Sequence, residues 1–179
     1  MSRISLITDR AELEPDRQEE ADAILEVLHH LGGPFGVLLH SPGLALKVCQ
    51  AGAHVRLNAT LEKWQRELAI LVVAAGKSSD FEWAAHVDLA RKAGVPEEVI
   101  DGARSGGAVS GEAADLVAFA RQLVATNRVD QDVYDRLVAR HGERWLVELT
   151  GTIGQYQYIA CVLGAFDVQP ADGKERIAR

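Results

Sequence analysis

Periodicity and punctuation in the sequence point to an all-α fold, a compact bundle of about seven or eight helices in one domain spanning residues 1–179. Apolar residues recur three and four apart in one segment after another, and proline and glycine stand at the joints between those segments. No window shows the strict two-residue alternation of a half-buried strand. With 47% apolar and 25% charged residues, the chain is long enough to bury roughly two-thirds of its unfolded surface without a disulfide or metal staple.

Each element has its own signal. Pro15 precedes Asp16-Arg-Gln-Glu-Glu, an acidic first turn suited to the positive end of a helix dipole, and Ala21, Ile24, Leu25 and Leu28 follow at helical spacing until Gly32-Gly33. Ser41-Pro42 reads as an N-cap and first-turn proline opening a helix through Leu46 and Cys49 toward Leu57. Thr60 is expected to cap the next helix, which runs to Gly76. Ser79 or Asp80 starts a fourth that ends at Gly94, and Pro96-Glu97-Glu98 opens a short fifth. Ser110, Asp130 and the stretch after Gly142 launch three more. Lys63-Trp64-Gln65-Arg66-Glu67-Leu68 is echoed by Arg144-Trp145-Leu146-Val147-Glu148-Leu149; an internal duplication, or two buried helices each begun by a tryptophan anchor, would produce this pattern.

Composition also excludes classes of function. Cys49 and Cys161 lie far apart in the chain, which removes every C-x-x-C reading, redox or zinc. A net charge of −7 with no Lys/Arg cluster argues against nucleic acid as a partner. The longest uninterrupted apolar run, Leu68 to Gly76, falls far short of the roughly 20 residues that span a bilayer, so no membrane association is expected. The N-terminal residues lack the apolar core of a secretory signal, which predicts a cytoplasmic protein.

The chemistry-bearing residues lie on the third and fourth of these helices. On a helix after Ser79, Trp83, Leu89, Ala90 and Ala93 share one face while Asp88, Arg91 and Lys92 share the other. Glu82 and His86, one turn apart, fall on the apolar side, with Ser79 a turn further back. Glu67 opens a wholly apolar half-helix, and burial there is expected to raise its carboxyl pKa into the range of a proton carrier. The short Lys77-Ser78 connection would fold the two helices antiparallel and bring Glu67 toward Glu82 and His86.

Each residue also has a plainer reading: His86 as a hydrogen-bonded core histidine, Glu67 as an ion pair with Arg56 or Arg66, and Glu82 with His86 as a structural pair. Function rests on three ionisable groups converging from two adjacent apolar helices. A metal is not expected, because dinuclear carboxylate bundles carry Glu-x-x-His motifs on two helices and further glutamates, a set this chain lacks. His29 and His30 read as solvated residues at a helix end, and His40 and His54 are left unassigned.

The runs Arg66 to Ala74, Ser79-Asp80-Phe81-Glu82-Trp83-Ala84-Ala85-His86 and Ala90 to Val95 resemble the core motif of the carboxymuconolactone decarboxylase family, over residues 60–105. Phe35 to Ala45 and Glu148 to Pro170, with Gln155-Tyr156, resemble its flanks. The resemblance implies an all-helical fold and a homo-oligomer, a trimer or hexamer. Alkylhydroperoxidase D shares the fold and depends on a Cys-x-x-Cys pair; Ser79 and Glu82 stand where that branch has its two cysteines, which turns the expectation toward the decarboxylase-like branch.

That branch implies loss of CO₂ from a carboxylated unsaturated lactone or related small acid, with no organic cofactor and no metal. His86 would be the proton donor, Glu67 would set its tautomer or share the relay, and Glu82 would orient substrate or tune His86. Trp83 would wall the substrate pocket, with Ser79 beside it. The competing readings are an alkylhydroperoxidase-like antioxidant and a non-catalytic helical oligomer. An open pocket lined by the triad, as against a sealed core, separates enzyme from scaffold.

Overall fold

A computed structural model describes residues 2–177, which contain nine α-helices and no strand. In chain order these are α1 (Gln18–Leu28), α2 (Pro34–Leu38), α3 (Pro42–Ala53), α4 (Lys63–Gly76), α5 (Asp80–Lys92), α6 (Glu97–Ser105), α7 (Ala113–Thr126), α8 (Gln131–His141) and α9 (Glu143–Ala165). The helix beyond the expected seven or eight is α2, whose five residues are too short to display a 3.6-residue period. Two short 3₁₀ turns precede α1, and a π-helical turn, His54–Asn58, ends α3.

Two apolar clusters organise the described chain. The larger gathers α4 to α8 with the first half of α9 around α4, from Leu68 to Ala74 all buried. The smaller joins α1, α2 and α3 to Ile159, Val162 and Leu163 at the far end of α9. One long helix therefore contributes to both clusters, and the seam between them lies along its middle.

Thr60 does not cap α4. Its backbone N–H and hydroxyl both donate to Glu148 Oε2 on α9, at 2.6 Å each, so the hydroxyl is drawn away from the helix end. Glu62 takes the N-cap position in a reciprocal box with Gln65, whose Oε1 accepts the Glu62 N–H at 3.0 Å. The same buried Gln65 oxygen accepts from Trp145 Nε1 at 3.0 Å. Trp145 is thus a buried anchor, while Trp64 is only half-buried and donates to Glu62, so the sequence echo hides two different uses of tryptophan. Leu89, expected on the core face of α5, is 40% exposed.

Candidate active site

A three-residue turn folds α5 back along α4. Ser78 adopts a left-handed backbone at φ 52°, and the Ser79 N–H reaches the Ala74 carbonyl at 2.8 Å. The reversal brings His86 between two glutamates. Its Nδ1 donates to Glu67 Oε2 at 2.7 Å, and its Nε2 lies 3.5 Å from Glu82 Oε2, longer than a well-formed hydrogen bond. Arg66 grips the other Glu67 oxygen through Nε and Nη2 at 3.2 and 3.1 Å. The alternative partners weighed for Glu67 therefore resolve to Arg66 together with His86.

The two carboxyls are driven in opposite directions. Burial pushes Glu67 up, but the His86 hydrogen bond and the charges of His86 and Arg66 outweigh it and hold the group below the usual carboxylate range. This reverses the expectation from burial alone, because the partners favour the ionised form. Glu82 is buried, and among the described residues no hydrogen bond reaches its carboxylate; burial raises its pKa, opposed by His86 and Arg56. An ionised Glu67 only accepts hydrogen bonds, so Nδ1 keeps its proton and Nε2 is the nitrogen that can gain or lose one.

His86 and Glu82 both border open space. A cavity of about 450 Å³ lies at the seam of the two apolar clusters, with Glu82, His86, Arg56, Gln155, Tyr156 and Cys49 supplying polar atoms along its wall. Leu31, Phe35, Phe81, Leu89 and Ile159 supply an apolar wall. Gly33, at φ 51°, lets the chain before α2 close over Phe81, where a Cβ would meet the ring at 2.7 Å. The Tyr156 ring stands edge-on to His86 at 5.1 Å between centroids, and burial followed by the Glu82 charge raises its phenol pKa.

The predicted residues divide on inspection. Glu82 and His86 reach the cavity, while Glu67 sits behind His86 and touches the site through it. Trp83 does not wall the cavity. It turns away from the cavity and is fully buried in the larger cluster, with the Arg104 guanidinium 5.0 Å over its ring. Ser79 faces a separate recess of about 80 Å³ by the end of α9.

His30, read as a solvated end residue, lines the cavity. Sequence reasoning missed Arg56, Gln155, Tyr156 and Cys49 as wall residues. Gln155-Tyr156 carried a signal in the flank that resembles the family, whereas Arg56 entered the sequence reading only as a possible partner of Glu67.

The opposed shifts predict opposed pH behaviour. Glu82, raised in the folded state, contributes stability below the ordinary carboxyl value of 4.5 and loses it as pH rises through its folded pKa. Glu82→Gln should therefore raise the melting temperature at neutral pH, with the gain vanishing in acid. Glu67, lowered, contributes stability above 4.5 and loses it as pH falls through its folded pKa. Glu67→Gln should therefore lower the melting temperature at neutral pH and match wild type in acid. Melting curves from neutral to acid pH check both; parallel curves for the two variants would contradict the assignment.

Comparison with known proteins agrees with this architecture. The model of the carboxymuconolactone decarboxylase family matches residues 42–125, the stretch holding α3 to α7 with Glu67, Glu82 and His86. No curated protein matches the chain. Among solved structures, the chain is similar to an alkylhydroperoxidase AhpD core, an uncharacterized peroxidase-related protein from Ralstonia eutropha JMP134. The TM-score is 0.75 at 15% identity, over 96% of this chain and 93% of that one. Residues 42–125 are thus similar to the carboxymuconolactone decarboxylase family, and the chain takes the helical fold of the alkylhydroperoxidase core.

Proposed function

We propose that the protein is a cofactor-free proton-transfer enzyme that decarboxylates a carboxylated unsaturated lactone or a related small organic acid. The observation that carries this reading is His86 at the cavity wall, held through Nδ1 by Glu67 with Nε2 turned toward Glu82, which lines the same cavity. The bond to the carboxylate carbon breaks, CO₂ leaves, and the electron pair enters the conjugated lactone carbonyl to form a dienolate. His86 Nε2–H then delivers a proton to carbon, the lactone carbonyl re-forms, and Nε2 is reprotonated from solvent by way of Glu82. Glu67 stays ionised and keeps the ring oriented. Glu82, whose neutral form burial favours, is suited to pass a proton on.

A thiol-dependent peroxidase would need two thiols within reach of each other. Cys49 is buried at the cavity wall, where burial raises its thiol pKa, and Cys161 is exposed on α9. The Cys49→Ser, Cys161→Ser double variant should release CO₂ from a carboxylated unsaturated lactone and, in heavy water, place one deuterium on a ring carbon of the dienolate. Dithiol-dependent hydroperoxide turnover by the wild type that disappears in the double variant would overturn the reading.

The assembly and location that fit this reading are a cytoplasmic homo-oligomer, a trimer or hexamer. No helix of the described residues is long and apolar enough to cross a membrane. Gly154 and Gly164, with nothing within 4 Å of an added Cβ, lie on the exposed face of α9 beside Val147, Tyr158 and Cys161, an uncharged stripe suited to a second copy. Sedimentation at micromolar concentration should show the oligomer; a monomer alone would remove this part of the proposal.

A further inference from the structure

The geometry points to Arg56 as the anchor by which the cavity holds a small carboxylate carried on a flat apolar body. This assignment rests on the proton-transfer reading above and names the class of molecule that the site takes. Arg56 belongs to the π-helical turn that ends α3, and such turns are frequent at functional sites because the widened backbone redirects side chains.

The turn is pinned from two sides. Arg66 Nη1 donates to the Arg56 carbonyl at 2.7 Å, and Glu148 holds Thr60 through two bonds of 2.6 Å. Val55 is buried beneath it. Arg66 is also the residue that grips Glu67, so one guanidinium links the turn to the Glu67–His86 couple.

The backbone of Arg56 is thus fixed while its guanidinium is left over. It makes no hydrogen bond or ion pair among the described residues, it is exposed, and it lines the cavity with His86 and Glu82. Its charge is felt by Glu82, Tyr156 and Cys49, three separate points of the wall. In a chain of net charge −7, a permanently charged planar donor aimed at a partly apolar cavity fits a carboxylate, whose two oxygens match its fork. Phe35 and Phe81 offer flat apolar surface for the rest of the molecule.

Benzoate and its neutral isostere benzamide test the assignment on the full chain, by calorimetric titration at about pH 8, where free imidazoles are neutral and arginine is not. Benzoate should bind wild type, shift the His86 ring-nitrogen NMR signals, and weaken with salt. Arg56→Gln should weaken benzoate roughly 10- to 100-fold, Arg56→Lys less, and benzamide should bind both wild type and Arg56→Gln equally poorly. Unchanged circular dichroism and melting of Arg56→Gln would show that the loss is local.

Benzoate binding equally well to Arg56→Gln, benzamide binding as tightly as benzoate, or benzoate leaving His86 unshifted would each overturn the anchor. Failure of the proton-transfer reading shows elsewhere, as undiminished turnover in His86→Ala, and leaves these titrations untouched.

Discussion

Replacing His86 with alanine is expected to lower decarboxylation by roughly 10² to 10⁴, the usual worth of a positioned general acid, while the fold survives. The survival is as informative as the rate. Deleting one member of a buried ionic network normally leaves its partner charged and alone, at a cost of several kcal/mol. Here Glu67 keeps the two hydrogen bonds from Arg66 to its Oε1, so its charge is not orphaned when the imidazole goes. The space left by the ring opens onto an existing cavity and creates no sealed void.

Steady-state kinetics and thermal melts on the same preparation check the expectation. A large fall in melting temperature with turnover unchanged would make the Glu67–His86–Glu82 set a structural network and remove the enzymatic reading.

Truncating Trp83 to alanine is expected to have the opposite signature, a loss of about 3–5 kcal/mol in unfolding free energy. Trp83 is fully buried among the side chains packed around α4, and Arg104 lies over its ring. Arg104 also pairs with Glu175, which is held in turn by Arg91 at 2.8 Å. The adjoining Ile177 N–H donates to Asp80 Oδ1 at the start of α5. Removing the indole therefore empties a core site and takes away the surface on which the Arg104 guanidinium rests, loosening the C-terminal segment against α5. Denaturant unfolding measures the loss. A Trp83→Ala protein of wild-type stability but with a raised KM would instead return Trp83 to the substrate wall, where its place in the Glu-Trp motif had put it.

Trp83 and Glu67 show why site reading from sequence stops where it does. Glu82, Trp83 and His86 are neighbours on one helix, and the hundred-degree rotation per residue puts Glu82 and His86 on one stripe with Trp83 beside it. Which of the adjacent faces meets a cavity and which meets packed helices depends on what lies across from each. Here α3 and the middle of α9 leave a gap on the first, and α6 with the larger cluster fills the second. For Glu67, sequence shows the burial but not the partners, and the partners reverse the sign of the shift.

Helix positions were readable from the chain because they rest on local causes: apolar period, proline at first turns, glycine at ends. The α4–α5 hairpin followed from a connection too short for any other path, and with it the meeting of Glu67 and His86. Thr60 failed as a cap because a distant carboxylate on α9 competed for its hydroxyl, and α2 went unseen because one turn has no period.

The cavity itself required the fold. Its wall takes Arg56 from a turn, Glu82 and His86 from α5, Gln155 and Tyr156 from α9, and Phe35 from α2. Local propensity sets each element separately, but a cavity is the volume left when two apolar clusters share one long helix without closing against each other, and only the packing of distant segments determines that volume.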